Sequence, residues 1–220
     1  MNVSPQPRSF AGIGERGPRA RTARLMLETA VRMMQDGVVP SISDVAEEAG
    51  VSRATAYRYF PSQAALVHAV VDEALGPILE WSSSEDDAER RVDDLIGTSI
   101  PRIEAFEATF RAALKHSLEQ WAARRRGVAD LEPQFTRGHR VELLRKAIAP
   151  LHPALPEASL DRLAKALSLV FGVETLVILK DIWKVDSNEA REIALWSGRA
   201  LVRAAMEEAG RGARQTGPTR

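Results

Sequence analysis

The sequence predicts an all-α fold: a small N-terminal head of three short helices, followed by a C-terminal helical bundle of about six. Three observations carry this expectation. Apolar residues recur at helical spacing through almost all of the 220 residues, no stretch alternates polar and apolar residues as a half-buried strand would, and Gly, Pro and Ser clusters cut the chain into pieces of helix length. Taken in order, the predicted helices run roughly over Arg21 to Asp36, Ile42 to Ala49, Arg53 to Phe60, Gln63 to Glu80, Glu85 to Ser99, Arg102 to Arg125, Pro133 to Ile148, Glu157 to Lys184 and Asn188 to Ala209. The expected division is an N-terminal arm over 1–18, a head over 19–66, a larger domain over 67–210 and a tail over 211–220.

Composition narrows the chemistry. Without a single cysteine, disulfides, thiolate zinc sites and thiol nucleophiles are excluded together, and a reducing compartment, economically the cytoplasm, is expected. No stretch approaches the roughly 18 consecutive apolar residues of a membrane span, and Met1 to Gly17 lacks the apolar core of a signal peptide. Thirty basic residues balance thirty acidic ones, so any nucleic-acid affinity must come from local charge. The arm supplies some: Arg8, Arg16, Arg19, Arg21 and Arg24 stand against Glu15, among prolines and glycines that disfavour regular structure.

The informative stretch is Ser41 to Leu66, SISDVAEEAGVSRATAYRYFPSQAAL. Ser41 with Asp44 three residues on is a capping-box arrangement that opens a helix. Gly50 tolerates the positive φ of a sharp turn, and Ser52 is placed to cap the next helix. This is helix-turn-helix spacing. Val45, Ala46, Ala49, Val51, Ala56 and Phe60 are what two short crossing helices would bury. At about 100° per residue, Ala56 and Phe60 face inward on the second helix, while Ala54, Thr55 and Arg58 point outward and Tyr57 and Tyr59 flank the buried face. Such an outward set can enter a major groove with the tyrosines at its phosphate walls.

SDVAEEAGVS, RATAYRYF and PSQAAL, preceded by a helix ending in MMQDG, closely resemble the signature of the tetracycline-repressor (TetR) family over about Arg21 to Val71. The resemblance implies a transcriptional regulator with double-stranded DNA as partner. Carried over residue by residue, it makes Thr55, Tyr57 and Tyr59 contact DNA and places Ser41 and Ser52 near backbone phosphates; Arg53 and Arg58 join them on the geometric argument. Two positions depart from the family pattern. Gln63 stands where lysine is usual, which weakens or neutralises one phosphate contact, and Tyr59 stands where histidine is common.

Beyond Gln63 the resemblance is one of architecture. The segment Arg102 to Arg125 places Ile103, Phe106, Phe110, Ala113, Leu114, Ser117 and Trp121 on one stripe expected to be buried. Phe106, Phe110 and Trp121 beside His116 and Ser117, with Trp81 as a further aromatic, are candidates to line an apolar pocket for a small-molecule effector. Glu174 interrupts the apolar run Ala166 to Leu179 and calls for a partner such as Arg102, His116 or a cationic ligand. The last two helices carry more apolar surface than one pair can cover. A two-fold homodimer is expected there, with Phe171, Val177, Ile178, Trp196 and Leu201 as candidates, and with it a palindromic operator.

An enzyme has little to stand on. His68, His116, His139 and His152 show no metal-ligand spacing, and there is no Gly-rich phosphate loop or nucleophile elbow. No cofactor or metal is expected. The alternative is a helical ligand-binding or interaction protein whose head no longer reads DNA.

Overall fold

The computed structural model describes residues 18–127 and 138–215. Among them regular structure is exclusively helical: α1 (Pro18–Gln35), α2 (Ile42–Glu48), α3 (Arg53–Tyr59), α4 (Gln63–Leu75), a 3₁₀ turn (Gly76–Glu80), α5 (Ala88–Ala105), α6 (Glu107–Arg125), α7 (His139–Ile148), a second 3₁₀ turn (Ala149–Leu151), α8 (Glu157–Leu167), α9 (Val173–Leu176), a π-helical turn (Val177–Ile182) and α10 (Ser187–Gln215). The described residues form two compact units, which fall within Met1–Leu75 with Phe106–Thr136 and within Gly76–Ala105 with Arg137–Arg220. These units follow packing and cut the chain differently from the functional division expected at residue 66. The arm up to residue 17 lies outside the described residues. The expected C-terminal tail begins inside α10, which continues to Gln215.

In the first unit α4 is the central element. Leu66, Val67, Ala69, Val70, Val71 and Ala74 are buried on it, more circumference than one neighbour can cover, so α4 packs against both α1 and α6. α1 contributes Ala23, Met26, Ala30 and Met34, all but fully buried at the i, i+3/i+4 spacing of a single face. The expected stripe on α6 is only partly inside. Phe110 and Ala113 are buried, but Trp121 is 63% exposed and its neighbour Leu118 58%. The buried positions of α6 also include Thr109, His116 and Gln120, so its packed face lies around from the face that hydrophobicity alone selects.

In the second unit α5 packs on α10 and α7. The helix runs through Pro101, where the sequence predicted a boundary: Ile96, Ile100 and Ile103 are buried on either side, and that packing offsets the backbone hydrogen bond a proline cannot donate. α10 lays Ala190, Ala194 and Val202 inward, with Gly198 against Ile96 and Val92. Arg199 bonds Asp93 at 2.6 Å and Arg203 pairs with Glu89, so charges line the edge of this contact.

The largest departure from expectation is the segment read as one helix from Glu157 to Lys184. It is broken into α8, α9 and the π turn. Arg140 of α7 explains the break, donating to the Ser168 carbonyl at the end of α8 and to the Glu174 carboxylate in the first turn of α9. The guanidinium sits where a Cβ at residue 172 would go, and Gly172 has φ of 126°, a conformation that only glycine adopts without strain. Farther on, Glu104 of α5 accepts from Lys180 at 2.6 Å and from Ser187. Burial raises the Glu104 pKa, but the bonds from Lys180 and Ser187 outweigh it and hold the carboxyl below its usual range.

Candidate nucleic-acid interface

The helix-turn-helix is assembled by local chemistry. Ser41 is the N-cap of α2: its hydroxyl accepts from the Asp44 amide at 3.1 Å, and the Asp44 carboxylate accepts from the Ser41 amide at 2.9 Å. The capping box is complete. The Asp44 pKa is lowered, first by the backbone bond from Ser41 and then by the Ser41 hydroxyl. At the other end Gly50, with φ of 64°, lets the Gly50 amide reach the Glu47 carbonyl at 3.1 Å and the Val51 amide the Ala46 carbonyl at 2.8 Å. This pair of bonds is the Schellman closure, and it turns the chain directly into α3.

Ser52 caps α3, its hydroxyl accepting from the Thr55 amide at 3.3 Å and meeting the Thr55 hydroxyl at 3.0 Å. Ala56 and Phe60 are buried at 0% and 1% exposure, together with Val45 and Ala46 of α2; Ala49 and Val51 are half-buried. The opposite face of α3 carries Arg53, Ala54, Tyr57 and Arg58, all exposed, with Thr55 and Tyr59 half-buried at its margins. The Arg58 guanidinium lies over the Tyr59 ring, 5.6 Å from its centroid. α3 therefore presents two cations and a phenol on a seven-residue helix whose apolar side is fully used.

Gln63 sits apart from this set. It is half-buried, and its side-chain amide donates to the Pro40 carbonyl at 3.2 Å. Pro61 and a buried Ser62 precede it, the Ser62 hydroxyl accepting from the Ala65 amide at 3.1 Å.

The other candidates are spread through both units. Phe106, Phe110, His116, Ser117 and Trp121 belong to α6 and its first residue boundary in the first unit, with Phe110 and His116 buried, Phe106 and Ser117 half-buried and Trp121 exposed. Trp81 lies in the second unit. It is buried, its indole N–H donates to Asp94 at 2.8 Å, and Arg91 stacks 5.7 Å from its ring centroid. That arginine, itself buried, donates to the carbonyls of Ser83, Glu85, Lys146 and Ala147, so Trp81 is part of a structural joint between α5 and the end of α7. Glu174 is half-buried and pairs with Arg140, a partner the sequence did not single out. Of the assembly candidates, Phe171 is buried inside the protomer, Val177 and Leu201 are half-buried, and Ile178 and Trp196 are exposed at 46% and 67%. Sequence reasoning missed Leu169, Ile182 and Trp183, at least 70% exposed, because a continuous helix would have turned some of them inward.

Comparison with known proteins agrees with this geometry. Residues 27–70 match the family described as bacterial regulatory proteins, tetR family. Over 105 residues the chain is 30% identical to the HTH-type transcriptional repressor LfrR of Mycolicibacterium smegmatis, a match covering 48% of this chain and 46% of that protein, about half the length of each. The fold is that of a tetR-family transcriptional regulator from Streptomyces coelicolor, whose crystal structure superposes with a TM-score of 0.59 at 17% identity over 89% of this chain and 87% of that one. By its sequence and the local geometry that sequence builds, the helix-turn-helix segment is similar to the tetR family of bacterial regulatory proteins over residues 27–70, and the fold around it is that of a solved tetR-family regulator.

Proposed function

We propose that the chain is a DNA-binding transcriptional repressor, acting in the cytoplasm as a homodimer on a palindromic operator and released by a small apolar or amphipathic effector. The observation that carries the DNA reading is the one-sided construction of α3: Ala56 and Phe60 inside, Arg53, Tyr57 and Arg58 outside. Arg58 and Thr55 face base edges in this reading, while Arg53, Tyr57 and Tyr59 reach phosphates together with Ser41 and Ser52 at the starts of α2 and α3. The functional head is the segment 19–66 and the sensing and pairing domain 67–210. The matched LfrR is named as a transcriptional repressor, which supports repression as the sense of regulation.

Ile178 and Trp196, with Leu169, Ile182 and Trp183, supply exposed apolar surface for pairing. Phe110 and His116 on the buried side of α6 are the effector candidates best placed to line a cavity. An effector lowers operator affinity only by binding the non-DNA conformation better, since equal affinity for both would move nothing. The test is selection of duplexes from a random pool by the purified protein, followed by a screen for compounds that release the selected duplex. Recovery of a palindrome whose affinity falls steeply with salt is the expected result; recovery of no preferred sequence would sink the reading.

A further inference from the structure

Gln63 occupies the position where the family resemblance implies a phosphate-contacting lysine, yet its amide nitrogen is directed at the Pro40 carbonyl. A carbonyl can only accept, so the NH2 group of the amide faces Pro40 and its orientation is settled. The peptide that receives this bond is the one between Pro40 and Ser41. Its N–H already donates to the Asp44 carboxylate within the capping box of α2, so both polar groups of a single peptide are held, one by α2 itself and one by the first residue of α4. Pro40 is buried, which strengthens a bond to its carbonyl and makes its loss costlier. The other end of the link is equally fixed, because Ser62 caps α4 from a buried position.

Gln63 also directly follows the turn that ends α3. One side chain thus joins the entrance of the helix-turn-helix at Pro40 to its exit at α4, across a separation of 23 residues. Between these points the chain has little freedom, since the Schellman closure at Gly50 and the buried contacts of Val45, Ala46, Ala56 and Phe60 lock α2 to α3.

We infer that Gln63 is a positioning residue that pins α2 and α3 to α4 through the Pro40–Ser41 peptide, and so holds the reading helix in register, instead of contacting phosphate. This rests on the DNA reading of α3. A lysine here would bring charge to the duplex; a glutamine exchanges that charge for a neutral link that fits a half-buried site.

Two variants test it: Gln63→Met, of similar length without a donor, and Gln63→Lys, which restores a donor. In the DNA-free protein, amide exchange at Ser41 and Val45 rises about five-fold in Gln63→Met, as expected for loss of one hydrogen bond of ordinary net strength, and returns to within about two-fold of wild type in Gln63→Lys. With DNA, the Met variant loses about five-fold in affinity for the selected duplex and nothing for a scrambled duplex of the same length. An equal loss on both duplexes identifies a phosphate contact, and no loss on either leaves only local scaffolding; each overturns the assignment, as does unchanged Ser41 exchange. If selection recovers no duplex, the DNA reading of α3 has failed, while the exchange measurement still decides whether Gln63 holds the α2 entrance.

Discussion

Tyr57 separates packing from recognition. At 50% exposure its ring contributes little to the core, so Tyr57→Ala changes stability by no more than about 0.5 kcal/mol. It should weaken duplex binding at least about tenfold, equivalent to about 1.4 kcal/mol. Melting and mobility-shift titration at one fixed salt concentration check the two halves, and an unchanged titration would remove Tyr57 from the interface. Asp44 gives the head a pH dependence. Its folded pKa lies below the unfolded value, so its contribution to stability is complete at neutral pH and is lost as pH falls through the folded pKa. The difference in urea midpoint between wild type and Asp44→Asn is therefore present at pH 7 and narrows below about pH 4, near the unfolded carboxyl value. A difference that widened on acidification would contradict the capping role.

At the scale of elements, what decides a helix here is the side chain from a neighbour that ends it. Arg140 inserts between α8 and α9, and Gly172 makes room for it. Gly172→Ala forces a side chain into an unfavourable backbone region and against the guanidinium, and should cost roughly 1–3 kcal/mol. Arg140→Met should cost stability too, by leaving the Ser168 carbonyl and the Glu174 carboxylate without this partner. Because both act on one joint, the double variant should fall short of the sum of the singles in denaturant unfolding; strict additivity would separate the break from the arginine.

For the whole molecule, the proposed two-fold pairing depends on exposed apolar side chains of the second unit. Trp196 on α10 and Ile182 in the π turn are exposed at 67% and 70%, and a pairing surface built on them fails when charged. Trp196→Glu and Ile182→Glu should each shift the protein from twice the chain mass toward the chain mass in light scattering at micromolar concentration. They should also halve the footprint on a palindromic duplex. A variant that kept both would place the pairing surface elsewhere.

The sequence by itself determined the all-helical class and the details of the head, down to the serine caps, the turn at Gly50 and the buried face of α3 at Ala56 and Phe60, while Thr55, expected outward, is half-buried and Tyr57, expected at the flank, is exposed. Those features arise from residues three to five apart along the chain, where backbone hydrogen bonding and helical periodicity act without distant neighbours. Only the tertiary structure decided the interruption at Gly172, the passage of α5 through Pro101, the outward placement of Trp121 and the link from Gln63 to Pro40. Each depends on a partner brought near by folding: Arg140 lies more than 25 residues from the carbonyl and carboxylate it holds. Local pattern shows which residues are apolar, whereas which of them find cover is settled by what packs against them.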